Sequence, residues 1–202
     1  MIAMAKRRRR KQSVYEFKPD PKSTNFLKRL YMTRLQRLTL LKWCVYVMTG
    51  VLLLVIQDVI MSRIHFSGAT TDLPVAFILL VGIYEGLDHG SIFTLAAALF
   101  YWFSGSAPGP YVIILLCALN VFIGLFRQMF WNRSFSSICL CVAISIMLYE
   151  MLLFVIGLFL GLTILARAGI FALTGAFTCI TMLPMYPLVR AISKIGGESW
   201  KD

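Results

Sequence analysis

From Leu40 onward apolar residues run almost without interruption, in stretches such as VMTGVLLLVI at 47–56, and short turn-rich breaks divide them. Continuous runs predict helices, because a half-buried strand alternates apolar and polar positions and an outer-membrane barrel repeats such alternating segments of ~10 residues. The breaks mark apolar segments at roughly 42–60, 73–87, 90–104, 110–126, 135–161 and 164–189. Since ~20 helical residues cross a ~30 Å hydrocarbon layer, the expected architecture is an all-α membrane protein with six transmembrane helices in one compact bundle. The second and third segments are short and joined through GLDHGS at 86–91. They form either two crossings or a tight hairpin that does not fully cross, so five spans, or four plus a re-entrant pair, stand as alternatives.

Ahead of Leu40 the pattern changes. Residues 1–25 hold little apolar material and carry the turn-rich stretch FKPDPKSTN at 17–25, which predicts a basic, disordered tail. Over 26–41, Leu30, Tyr31, Leu35, Leu38 and Leu41 keep helical spacing, with Lys28, Arg29 and Arg37 mostly off that face and Arg34 interrupting it. This reads as an amphipathic interfacial helix feeding a transmembrane domain over 42–195, with 196–202 as a short C-terminal tail.

Composition agrees: a chain of 202 residues with 59% hydrophobic and 14% charged residues has more apolar material than one soluble core can hide. The net charge of +11 belongs mostly to the start, where residues 1–42 hold thirteen of the twenty Lys and Arg. KRRRRK at 6–11 stands too far ahead of the first long apolar run for a signal peptide, so the segment is expected to stay attached. The positive-inside rule then places both termini in the cytoplasm of a multi-pass cell-membrane protein, together with Arg127, Arg133, Arg190, Lys194 and Lys201, leaving Arg63 and Arg167 on the outer side. Lys6, Arg7, Arg8, Arg9, Arg10 and Lys11 are expected to meet anionic lipid headgroups, at about 1 kcal/mol each. No nucleic-acid fold accompanies them and no aromatic residue interleaves the run, so nucleic acid is not an expected partner.

Candidate chemistry is sparse. Cys44, Cys117, Cys139, Cys141 and Cys179 lie in apolar segments without a Cys-x-x-Cys pair and read as reduced packing residues. His65 and His89 occupy separate connections, without the neighbours a metal site needs. No nucleophile motif and no phosphate-cradling Gly-rich loop is present, so neither an enzyme nor a cofactor is expected. Gly82, Gly86 and Gly90 recur every fourth residue, which on one helix lines one face for close packing, inside the chain or against a transmembrane partner; Gly157 and Gly161 repeat the spacing.

Glu150 is the anomaly, a carboxylate near the middle of the apolar run, in IMLYEMLLF at 146–154. A charged side chain at helix centre costs roughly 2.5–3.5 kcal/mol on insertion scales. It reads as an acid kept neutral by desolvation, as an ion-paired or hydrogen-bonded strut between helices, or as a group facing a partner groove. The strut is the leading expectation, with Arg167 the nearest cation along the chain. Gln57, Asp58 and Asn120 are too few and too scattered for a proton relay.

The order of the turn YEGLDHG at 84–90, SGSAPGPYVIILLCALNVFIGLFRQMF at 104–130 and IMLYEMLLF resembles the MreD family of rod shape-determining membrane proteins over residues 45–195. Pro108 and Gly109 fill the turn before a long apolar helix that ends at Arg127, and Tyr149 with Glu150 fill the pair on the next. The basic extension before residue 42 departs from that pattern, as do Glu85 and Asp88 where family members often carry Arg-Gly. The resemblance implies a non-enzymatic subunit of the bacterial cell-elongation machinery. Such a subunit binds MreC and helps couple MreB filaments to lateral peptidoglycan synthesis by a RodA-type glycosyltransferase and its transpeptidase partner. The alternative is the substrate-binding subunit of an energy-coupling-factor vitamin transporter, similar in fold. That subunit would carry an outer cavity lined by polar and aromatic residues, for which Tyr101, Trp102 and Tyr111 are candidates, and a docking face such as Ala168, Ala172 and Ala176.

Overall fold

The structure, a computed structural model, describes residues 34–63, 68–130 and 135–195. The basic run at 6–11, most of the interfacial segment, His65, Arg133 and Lys201 fall outside them. Among the described residues there are five α-helices and no strand: α1 (Arg34–Val59), α2 (Leu73–Phe103), α3 (Tyr111–Phe130), α4 (Phe135–Phe159) and α5 (Ala168–Ser193). Short 3-10 turns occupy Met61–Arg63 and Leu165–Arg167. The segments containing α1, α2, α4 and α5 are long and apolar enough to cross a membrane, and α3 is a shorter apolar helix. Residues 34–41 run into the first apolar segment without a break.

The expected second and third segments both lie in α2, which is not one straight rod. Gly86 has φ 81° and ψ −175°, outside helical geometry, and the chain turns back there. On a straight helix Phe77 and Phe93 would be separated by about 24 Å, and Asp72 and Tyr101 by about 43 Å, at ~1.5 Å per residue. Instead the two phenyl rings meet edge to face at 6.1 Å, and the Tyr101 hydroxyl donates to Asp72 Oδ2 at 2.8 Å. Residues 73–85 and 87–103 are therefore two antiparallel legs, about 20 and 26 Å long. The open ends of both legs lie at the same end of the bundle.

The first leg forms the centre. Val75, Ala76, Phe77, Ile78, Leu79, Leu80, Val81 and Ile83 are all buried, so no face of this leg is polar, as expected of a helix enclosed by others. The surrounding helices bury single stripes at helical spacing: Val112, Leu116, Leu119 and Ile123 on α3; Val142, Ile146, Tyr149 and Leu153 on α4; Thr178, Met182, Met185 and Val189 on α5. Their other faces remain apolar. On α1 the residues Met48, Leu52, Val55 and Val59 are exposed, the arrangement that suits a helix bordered by lipid, where an apolar surface has no reason to hide.

Because the chain reverses at Gly86, the glycines at 82, 86 and 90 do not line one helical face, which corrects the expectation from their spacing. Gly82 and Gly90 sit opposite each other on the two legs: a Cβ on Gly90 would stand 3.0 Å from the Gly82 carbonyl oxygen. The close packing is within the chain. Gly157 and Gly161 also have another use. Gly161, at φ 70°, ends α4, and the amides of Leu162 and Thr163 both donate to the Gly157 carbonyl, the way orphaned carbonyls at a helix end are satisfied.

Gly86→Ala places a side chain in backbone space that is costly for any residue with a Cβ, by about 1–3 kcal/mol, and puts that carbon 2.7 Å from Arg127 Nη1. The variant is expected to unfold at a clearly lower temperature in detergent. Gly105→Ala, also at positive φ but with nothing within 4 Å, is expected to lose less, and equal losses in the two would count against the packing at the reversal.

Candidate functional site

Polar groups gather at the two ends of the α2 hairpin. At the reversal, the first leg ends with carbonyls that have no partner in the next helical turn. Arg127, near the end of α3, donates through Nη1 to the carbonyls of Ile83 at 3.0 Å and Tyr84 at 3.4 Å. A cation at a helix C-terminus is favoured by the helix dipole as well as by these bonds. The guanidinium comes this close only because residue 86 has no side chain.

Beside it, Glu85 reaches α1. Its Oε2 lies 2.6 Å from Lys42 Nζ, with both side chains under 10% exposed, and its Oε1 accepts from the Tyr46 hydroxyl at 2.9 Å. Tyr46 in turn packs on Phe77 and Phe93, one from each leg. The imidazole of His89 stacks on Trp43, its ring centre 6.3 Å away. Glu85 thus belongs to a buried ion pair and not to a solvated loop. Its partner lies forty-three residues upstream in sequence, and charge patterning along the chain does not connect the two.

At the opposite end, residues 68–72 lead into the first leg and are held from three sides. The Gln57 amide nitrogen donates to the Thr71 carbonyl, and its oxygen accepts from the Leu73 amide at 3.2 Å. The Asp72 amide donates to Thr178 Oγ1 at 3.0 Å, and Tyr101 holds the Asp72 carboxylate. Thr178 lies about ten residues into α5, and Glu150 about nine from the end of α4, so this connection enters the bundle to a depth of roughly 14 Å at 1.5 Å per residue.

Above it is a cavity of about 260 Å3 bordered by Gln57, Thr71, Asp72, Tyr101, Glu150 and Thr174, with Leu153, Ile170 and Phe171 as apolar wall. Gly68, Thr70, Ser106 and Pro108 also line it. Glu150, 3% exposed, makes no hydrogen bond or ion pair among the described residues, and Arg167 is exposed. The paired strut expected for Glu150 is therefore not what its surroundings provide: it borders the cavity, its stem against Gly175 of α5.

Pro108 and Glu150 meet at the cavity, and Tyr149 is buried beside them without lining it. Gly109 admits the Tyr111 ring against the chain, and Asp58 accepts from Ser106 across the 104–109 turn. Asn120 is apart from both clusters, bonded to Ser91 at 3.3 Å in the space left by Gly82. Of the outer aromatics Tyr101 lines the cavity; Trp102 is exposed and stacks near Phe103. All five cysteines are free, and among the described residues no group of three or more His, Cys, Asp or Glu side chains could hold a metal ion.

Asp72, Thr174 and Phe171 were not among the sequence candidates. In TTDLP an aspartate just ahead of Leu-Pro reads as a solvated helix cap, although in the fold its side chain caps nothing. Comparison with family models, with curated proteins and with solved structures gave no match to this chain.

Removing one member of a buried ion pair costs up to about 3–5 kcal/mol, less where a second cation such as Arg127 stands near the acid, whereas replacing both with neutral side chains of similar size is close to neutral. Lys42→Met is expected to lower thermal stability in detergent strongly, and Lys42→Met combined with Glu85→Gln to recover most of the loss. A double variant as unstable as the sum of the singles would show that the two side chains act independently.

Proposed function

We propose that the chain is an MreD-type subunit of the bacterial cell-elongation machinery, a non-enzymatic membrane protein that binds MreC. One observation carries the reading: the residues behind the family resemblance occupy the two polar centres that organise the bundle. Arg127 closes the α2 reversal, while Pro108 and Glu150 border the cavity at the other end with Tyr149 packed behind them. The arrangement proposed for the membrane is six crossings, counting each leg of α2, with Lys42, Arg127, Arg190 and Lys194 at the cytoplasmic side and the cavity facing outward. In this role the apolar outer faces of the helices dock partners, MreC first, and through the complex MreB and the RodA-type glycosyltransferase with its transpeptidase.

The second reading, the substrate-binding subunit of an energy-coupling-factor vitamin transporter, is favoured by a specific feature. The cavity opens at the proposed outer face and combines polar groups with Tyr101 and Phe171, and Ala168, Ala172 and Ala176 follow one another up α5.

Under the first reading, deletion of the gene in a rod-shaped host gives rounded or wide cells, and the tagged protein brings MreC with it from detergent. Normal rods and no MreC would sink that reading. A vitamin found by native mass spectrometry on the purified protein would establish the second.

A further inference from the structure

The cavity bordered by Asp72 and Glu150 is walled by acceptors for positive charge, and among the described residues no cationic side chain lines it. Both carboxylates are more than nine-tenths buried, at 8% and 3% exposure. Asp72 has one oxygen on the Tyr101 hydroxyl, while the other, Oδ1, is buried without a hydrogen bond. Glu150 has no partner for either oxygen among the described residues, and no Lys, Arg or His is part of the lining. Buried acceptors left in this state are costly, and two carboxylates facing one cavity repel each other whenever both are ionised. A bound cation relieves both penalties.

The size and walls of the cavity select among cations. Among the described residues no three carboxylate, thiolate or imidazole ligands come together, which disfavours a protein-built metal centre. At ~30 Å3 per water, 260 Å3 holds about nine waters, or an organic molecule of roughly ten non-hydrogen atoms. An inorganic ion would leave most of that space unused. Leu153, Ile170 and Phe171 offer a surface for carbon, and the Gln57 and Thr174 side chains add polar edges. An ammonium group supplies three donors on one charge, enough for both carboxylates, and an aromatic ring such as Phe171 tolerates a cation over its face.

We propose that this cavity binds a small organic cation carrying a primary ammonium group, seated between Asp72 and Glu150 with its carbon skeleton against Leu153 and Phe171. The assignment uses the cavity that supports the second functional reading and names the chemistry of its ligand, yet it requires no transport and stands equally in a subunit that binds MreC.

The test uses the purified full chain in detergent near neutral pH, with n-butylamine, ethanolamine and putrescine as probes, 1-butanol as the uncharged control, and sodium chloride at matched ionic strength. Thermal unfolding and titration calorimetry report binding. The expected result is a saturable rise in melting temperature with the amines alone. It weakens about tenfold or more in Asp72→Asn and in Glu150→Gln, a loss of one charged contact. Thr174→Trp, which fills the cavity and leaves both carboxylates in place, is expected to abolish the response, and it keeps the proposal falsifiable if a carboxamide variant does not fold. No saturable response up to about 10 mM, weaker than the millimolar edge of specific binding, overturns the proposal. So does an equal rise with sodium chloride, or binding unchanged in the carboxamide variants. Retention of a vitamin lacking an ammonium group would overturn the amine assignment while leaving the second functional reading intact.

Discussion

A helical chain that turns back inside an apolar bundle must satisfy the backbone groups that the turn exposes, and in this protein that constraint is met by Arg127. The carbonyls of Ile83 and Tyr84 end the first leg of α2 where no further helical turn follows, and a carbonyl left unmet costs about 1–3 kcal/mol where it is buried. Arg127 meets both. Because its guanidinium needs the space at Gly86, and Glu85 immediately before it needs Lys42 and Tyr46, the position of the reversal fixes α1 and α3 against α2 together. Buried ion pairs add little net stability over well-packed apolar side chains. What the Lys42–Glu85 pair supplies is a single register, since sliding α1 by one turn would leave two charges unpaired.

The cavity at the other end is a geometric consequence of the same hairpin. Its first leg, about 20 Å long, is much shorter than α4, whose twenty-five residues extend about 38 Å. The chain arriving from α1 must therefore descend into the bundle before helix can begin at Leu73. Gln57, Thr178 and Tyr101 satisfy the descending backbone and side chain, since extended chain at that depth is tolerable only where protein or a watery space surrounds it. The space left above the descent is where Glu150 points. An acid that looked out of place in IMLYEMLLF lies beside a second one, brought there from Asp72 by a connection that carries no apolar signal.

This explains which features were legible along the chain. The apolar segments announced themselves because each surrounding helix buries one stripe and keeps apolar residues on the rest, and the short GLDHGS link already allowed a hairpin. Gly82, Gly86 and Gly90 misled as a face because their four-residue spacing has meaning only on an unbroken helix, and a positive φ at Gly86 is not encoded by spacing. Lys42 and Glu85, or Asp72 and Tyr101, are pairs brought together by topology alone; each residue read singly has an ordinary surface explanation, as a helix-start lysine, a turn acid or a helix cap. Polar partners at long sequence separation are the part of a membrane bundle that apolar periodicity does not determine.

The way α1 is attached follows from the solvent. In lipid there is no hydrophobic drive to press one apolar helix on another, so association depends on close packing and on polar bonds between helices. The first leg of α2 obtains close packing from Gly82 and Gly90 and is buried on all sides, whereas only 11% of the most apolar window of α1 is buried. Yet α1 is bonded to α2 or its approach at both ends, through Lys42 and Tyr46 at one and Gln57 at the other. Two polar pins about 22 Å apart along a helix fix its direction without covering its outward side. That leaves a broad apolar surface whose orientation is set by the core.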